Sequence, residues 1–306
     1  MAKGIVFDEE HHEFTAPDGE AAIELATVDR PLSMIVQVTR RCPLKCAFCS
    51  ESEKIRDPTF EALEKLSQKL TGVERIYLSG GEPLVRKDIY QLIDLYKARF
   101  KIVGLPTNCM YISKDVAERL RGRVSYINAG LDGPRNVNDR VRGAYDKIIR
   151  GLMNLRDSGI EVSLSTVILR ETLPHLHYVV AVADTLGITK VKFVIPVPRG
   201  RAISLRPEDY ASSEEIAGKF TELVSLKREL GWRPRMKFTF WDANTEGYAL
   251  LVYPTQDVFA WPVLGAPDSV VRLGNLESES LADIWERYPY KLNHIRKYTG
   301  LTMHKA

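Results

Sequence analysis

The chain has 306 residues, 44% of them hydrophobic and 27% charged, enough for one large α/β domain or two smaller ones with a full core. No apolar run approaches the roughly 20 residues that a membrane-spanning helix needs, which excludes an integral membrane protein. The start, MAKGIVFDEEHHEF, has no basic segment followed by an apolar stretch, so no secretion signal is read and a cytoplasmic location is expected. The net charge of +3 does not by itself call for nucleic acid, yet it is unevenly spread. Residues 1–30 hold eight acids against Lys3 and Arg30, which leaves +9 on the rest of the chain. A mildly basic body suits an anionic substrate and equally a plain solvated surface.

Residues 1–32 read as an extended or hairpin appendage. From residue 33, short β-branched runs alternate with helical patterns about every 30 residues, the mark of repeated βα units. Strands are expected at Ser33–Thr39, Arg75–Ser79, Lys101–Thr107, Val124–Gly130, Glu161–Leu169 and Lys190–Pro196, with helices near 58–71, 87–99, 114–121, 144–158 and 174–187. Asp57-Pro58 offers an N-cap and a first-turn proline for the first helix, and Gly159 and Gly187 stand where helices should stop. A helix over 213–230 opens on a capping box, Ser212-x-x-Glu215, and carries the apolar stripe Ile216, Phe220, Leu223 and Leu230. Residues 237–276 read as strands and turns, and 280–298 as helix. Six parallel strands in succession build an open doubly wound sheet or a partial barrel, and both put the ligand site at the carboxyl ends of the strands.

After the first strand comes Arg41-Cys42-Pro43-Leu44-Lys45-Cys46-Ala47-Phe48-Cys49, with spacing C-x3-C-x2-C. Three thiolates on one loop can hold three irons of a [4Fe–4S] cluster and leave the fourth iron without a protein ligand. An open metal position is where a substrate or cofactor binds. Zinc normally takes four Cys or His ligands, and no histidine lies near this loop.

The second strand ends in Ser79-Gly80-Gly81-Glu82-Pro83, in which glycines allow close backbone approach and Glu82 can accept hydrogen bonds from an ammonium. The third ends in Thr107-Asn108-Cys109. The fourth gives Gly130-Leu131-Asp132-Gly133, followed by Arg142-Gly143. The fifth carries Ser165 and Thr166, and the sixth runs into Val197-Pro198-Arg199-Gly200-Arg201. This set resembles the radical S-adenosylmethionine (radical SAM) superfamily. The resemblance implies a partial (β/α)6 TIM barrel with a small C-terminal α+β extension, and a division into 1–32 (appendage), 33–205 (radical SAM core) and 206–306. It implies that Cys42, Cys46 and Cys49 bind the cluster and act in catalysis. Phe48, Ser79, Gly80, Gly81, Glu82, Pro83, Thr107, Asn108, Asp132, Ser165, Thr166 and Val197 are implied to bind S-adenosylmethionine. In such a protein the reduced cluster cleaves the cofactor to methionine and a 5′-deoxyadenosyl radical, which takes hydrogen from the substrate; the protein supplies orientation and exclusion of water.

Cysteine replaces the glycine usual after Thr-Asn, and Gly130 stands where serine is usual. Cys109 is read as a small buried residue. Residues 249–285, with Leu273-Gly274-Asn275-Leu276 and Ile284-Trp285, resemble the SPASM/Twitch subgroup, but Trp261 stands where an auxiliary-cluster cysteine is expected and only Cys109 is left over. A degenerate C-terminal segment without an auxiliary cluster is therefore expected. The expected substrate is a peptide or a small cofactor precursor, with flavodoxin or ferredoxin as electron donor. The alternatives are a nucleotide- or RNA-modifying enzyme, and a non-catalytic iron–sulfur carrier or scaffold.

Overall fold

Two short strands within the expected appendage, β1 (Val6–Asp8) and β2 (Glu13–Thr15), pair antiparallel with each other and, among the described residues, with no other strand. Beyond their backbone, the structure, a computed structural model, describes residues 30–51, 55–239, 249–261 and 271–288. In β3 (Ser33–Thr39), Met34, Val36 and Val38 enter the main apolar core, whereas Ser33, Ile35, Gln37 and Thr39 face the other way. The same period of two runs through β4 (Arg75–Gly80), β5 (Ile102–Thr107), β6 (Tyr126–Gly130), β7 (Val162–Val167) and β8 (Lys190–Val194). The connecting helices are α1 (Phe60–Lys69), α2 (Ile89–Lys97), α3 (Lys114–Leu120), α4 (Arg135–Val141), α5 (Tyr145–Asp157) and α6 (Leu176–Thr185); all but α4 place side chains in the apolar core, whereas α4 meets the cysteine loop, its Val141 carbonyl accepting from Ala47 N–H at 2.9 Å. Of these, α4 was not legible as a helix in the sequence. Gly159 and Gly187 end their helices at φ +70° and +69°, as expected of left-handed stops.

Each of these strands is the parallel neighbour of the next in sequence. With right-handed crossovers, that order keeps every helix on one side and curls the sheet, so the fold is singly wound and the doubly wound alternative falls away. The strands after β8 join the same sheet. Helix α7 (Ser213–Leu230) has the expected capping box, with Ser212 N–H donating to Glu215 Oε2 at 2.7 Å and Glu215 N–H to Ser212 Oγ at 3.1 Å. It delivers β9 (Arg235–Thr239) parallel to β8, where Phe238 packs between Phe193 and Phe220 with ring centroids 4.6 Å from each. At the opposite edge β10 (Ala249–Val252) lies parallel to β3, followed by antiparallel β11 (Asp257–Trp261) and β12 (Arg272–Asn275). The ten-stranded order starts at β12 and ends at β9, which do not pair, so the barrel stays open. The six expected parallel strands thus become eight, because β9 and β10 satisfy the backbone edges that β8 and β3 would otherwise expose. Helix α8 (Leu281–Glu286) buries Trp285 against β12's side of the core; the rest of the expected 280–298 helix beyond Tyr288 lies outside the described residues.

Candidate functional site

The three cysteines sit on the loop leaving β3, and the root of that loop is pinned by Asp57. Its carboxylate accepts from Thr39 Oγ1 (2.8 Å), Arg40 N–H (3.0 Å) and Arg41 Nε (2.7 Å). The sequence reading made Asp57 a helix cap. It lies too far upstream: Thr59 directly precedes α1 and caps it through Ala62 N–H at 3.1 Å. The far leg of the loop is held by groups that sequence reasoning did not single out. Glu51 pairs with Arg40, accepts from Gln37 Nε2 at 3.0 Å and reaches Arg199 at 3.4 Å. Arg201 donates its backbone N–H to the Cys49 carbonyl and its Nε to the Cys46 carbonyl, each at 2.9 Å. A Cβ on Gly200, whose φ is +56°, would lie 2.7 Å from the Cys49 carbonyl oxygen, so glycine is needed there. Tyr253, just past β10, hydrogen-bonds Arg199 and lies under the guanidiniums of Arg40 and Arg199, 5.2 and 5.6 Å from its ring centre. The Arg-Gly-Arg triplet after β8 was the visible signal for this clamp.

The end of β4 abuts the same loop. Cβ atoms on Gly80 and Gly81 would meet the Thr39 and Arg41 carbonyl oxygens at 1.9 and 2.3 Å, so these glycines seat the strand end against the loop's root. Glu82, which follows, is fully buried. Its Oε1 accepts from Leu84 N–H (3.1 Å) and Thr107 Oγ1 (2.9 Å), and its Oε2 from Asn108 N–H (2.8 Å). Burial pushes its carboxyl up to about 7 despite these three hydrogen bonds. Among the described residues no cation accompanies it. Pro83 opens the short 3-10 turn that Glu82 caps, and Ser79 is half-buried on the inner face beside Gln37. Asn108 Nδ2 also points at Cys42 Sγ, 3.9 Å away. Cys109 adopts φ +61°, the left-handed geometry of the glycine it replaces, and its thiol is wholly buried.

The ends of β6 and β7 form a second group. Asp132, also fully buried, accepts from Arg142 Nε at 2.6 Å and from Val167 N–H at 2.9 Å. The Arg142 guanidinium lies over Phe48, 5.1 Å from the ring centre. A Cβ on Gly130 would come 2.4 Å from Arg142 Nη1, so Gly130 is where the arginine fits. Thr166 donates to the Leu131 carbonyl at 2.6 Å. Ser165 is half-buried on the inner face, and Val197 is buried beside the Arg199 turn. Cys42, Cys46, Cys49, Phe48, Glu82, Thr107, Asn108 and Asp132 are thus drawn together by direct contacts or short links. Ser79, Ser165, Thr166 and Val197 occupy the strand ends around them.

None of the four cysteines is in a disulfide. Burial pushes the Cys46 thiol up to about 11, opposed by nearby Arg142, and burial raises Cys42 as well, so metal loading must displace protons from these thiols. Among the described residues no three His, Cys, Asp or Glu side chains gather tightly enough for a single metal ion. A cubane asks something different, since each thiolate takes a separate iron. The donor set of three free thiols on one clamped loop fits such a cluster. The buried, cation-free Glu82 beside them fits a ligand that carries an ammonium.

The open βα barrel thus brings a loop of three free thiols and a buried carboxylate to the carboxyl ends of its strands, a donor set that fits a metal cluster beside a ligand carrying an ammonium. Residues 36–181 match the sequence model of the Radical SAM superfamily, whose members use a [4Fe–4S] cluster and S-adenosylmethionine. The chain is 30% identical over 196 residues to the Fe-coproporphyrin III synthase of Methanosarcina barkeri, covering 61% of this chain and 49% of that protein. It is 30% identical over 213 residues to the mycofactocin maturase MftC of Mycolicibacterium smegmatis, covering 65% and 53%. The chain therefore spans about half the length of these curated relatives. Its fold is similar to that of Streptococcus suis SuiB bound to precursor peptide SuiA, with a TM-score of 0.72 at 14% identity over 90% of this chain and 67% of that one. No helix among the described residues is long and apolar enough to cross a membrane.

Proposed function

We propose that this protein is a radical SAM enzyme acting on a peptide, with Cys42, Cys46 and Cys49 holding the cluster. Bound there, the cluster supplies one electron that cleaves S-adenosylmethionine to methionine and a 5′-deoxyadenosyl radical, which abstracts a hydrogen atom from the substrate. The observation that carries this reading is Glu82, a buried carboxylate without a cation at the lip of the cysteine loop. Glu82 takes the cofactor's ammonium, while Thr107 and the Asn108 N–H hold the carboxylate still. Phe48, Ser79, Gly80, Gly81, Pro83, Asp132, Ser165, Thr166 and Val197 complete the cofactor pocket, Asp132 by fixing Arg142 over Phe48. The clamp of Arg40, Glu51, Arg199 and Arg201 keeps the loop's shape when the cluster is absent. A peptide substrate is supported by relatives named mycofactocin maturase and PqqA peptide cyclase and by the likeness to a peptide-bound fold.

The proposal extends to residues 33–205 as the chemical core, with 1–32 as an appendage and 206–306 as a C-terminal extension. It also includes a flavodoxin or ferredoxin as electron donor and a cytoplasmic setting, where free thiols stay reduced. The test is anaerobic reconstitution with iron and sulfide, reduction with dithionite, addition of S-adenosylmethionine, and mass spectrometry for 5′-deoxyadenosine. The expected result is close to four irons per chain and product formation, both lost in Cys42→Ala. Zinc in place of iron after anaerobic purification would sink the reading.

A further inference from the structure

The eight parallel strands contain no aspartate or glutamate, and their five basic residues, Arg75, Lys190, Lys192, Arg235 and Lys237, all lie on the inner face, opposite the helices. Four of the five are adjacent. Lys190 and Lys192 alternate with the core residues Val191 and Phe193, and Arg235 and Lys237 with Met236 and Phe238. The register pairs Lys190 with Arg235 and Lys192 with Lys237. The Cα positions of these cations therefore mark a rectangle about 4.8 Å across the strands and about 6.6 Å along them.

We infer that this wall of β8 and β9 is a docking surface for the substrate, and that the substrate there is an extended peptide with acidic side chains two residues apart. This deepens the reading of the protein as a peptide-modifying radical SAM enzyme and rests on it. In an extended peptide, side chains i and i+2 fall on one face about 6.6–7 Å apart, which matches the spacing along the wall. Among the described residues Arg235 Nη1 is buried and without a hydrogen-bond partner, a donor left unsatisfied until an acceptor arrives. Lys190, Lys192 and Lys237 interact with other groups of the chain, so a ligand's carboxylates exchange with those contacts rather than meeting bare cations. Across the register Lys192 neighbours Ser165, which neighbours Gly130, so the wall runs directly into the candidate cofactor site. Neighbouring inner positions on β6 and β7, Asn128, Ser163 and Ser165, are neutral; Glu161, one residue before β7, is the acid at the amino-terminal mouth.

The test uses the reconstituted full chain and fluorescein-labelled peptides Gly-Glu-Ala-Glu-Gly, Gly-Glu-Glu-Ala-Gly and Gly-Gln-Ala-Gln-Gly, followed by fluorescence anisotropy at low and high salt. The Glu-Ala-Glu peptide is expected to bind at least about tenfold more tightly than its glutamine counterpart at low salt, and more tightly than the adjacent-glutamate peptide. The preference should fall below about twofold in Lys192→Gln/Lys237→Gln, and also in wild type at high salt. Equal binding of the three peptides by wild type overturns the inference whatever the variant does. Tighter binding of GTP or a short RNA than of any peptide, measured by competition, overturns it as well. Cluster absorbance and S-adenosylmethionine binding are read on the same preparation. Intact cluster and cofactor binding without peptide discrimination defeats the wall alone, whereas discrimination without a cluster defeats the radical reading and leaves the wall standing.

Discussion

Two buried carboxylates stand at the ends of nearby strands, and they are equipped differently. Asp132, after β6, has its own cation in Arg142 and ties that arginine to the backbone of β7. Glu82, after β4, has three neutral donors and, among the described residues, no cation, and its carboxyl is pushed up to about 7. The first is a completed ion pair inside the fold. The second is an acceptor whose burial its three donors offset only in part, so a bound cation would stabilise its charge further. A buried carboxylate at the same level of a barrel can therefore be part of the wall or part of the pocket, and the partner decides which.

The contrast is broken most severely at Asp132. Asp132→Ala leaves Arg142 buried without its partner, and should lower the unfolding free energy in urea by about 3–5 kcal/mol. Glu82→Gln should do the opposite kind of damage. It should change stability by less than about 1.5 kcal/mol, because relief of the buried charge offsets one lost hydrogen bond, yet weaken S-adenosylmethionine binding about 30-fold by calorimetry. The pH dependence sharpens the point. An acid whose pKa is raised on folding costs stability as pH climbs from its ordinary value of 4.5 towards 7 and favours a bound cation over the same window. Cofactor affinity of wild type should rise about tenfold between roughly pH 5.5 and 7, and that slope should vanish in Glu82→Gln. If the slope persists in the variant, Glu82 is not the receiving group.

Smaller changes probe each side in turn. Gly130→Ser places a side chain where the Arg142 guanidinium lies, and should cost about 1–2 kcal/mol in thermal or urea unfolding. Cys109→Gly, on the Glu82 side, removes a left-handed φ from a non-glycine residue but loses a buried thiol's packing. The two terms nearly cancel, so the change in unfolding free energy should stay under about 1 kcal/mol.

The periodic parts of the fold were legible in the sequence, since β3 and α7 have the bounds that alternation and the capping box give. The thiol loop and Glu82 were legible because their chemistry is local to one short motif each. What escaped was set by long-range partners. Local periodicity cannot say which sheet edge a strand joins, so β9 and β10 read only as strands and turns. Gly80 and Gly81 read as glycines for ligand approach, and only the fold shows that they also seat the strand end against Thr39 and Arg41; Gly130 looks like a lost hydroxyl until Arg142 fills its space. Arg199 and Arg201 meet the cysteine loop across about 150 positions of chain, a distance no motif spans. Residues His11, His12 and Trp241 lie outside the described residues.

The pairing of β10 with β3 has a consequence for the order of events during synthesis. The cysteine loop leaves the ribosome some two hundred residues before its neighbouring strand β10 and the Tyr253 ring beneath its arginines. Contacts so far apart in the chain close late, after the local βα units have formed. Until then the thiols stand on an unfinished edge, so iron delivered to the nascent chain would meet a loop that its last supports have not yet reached.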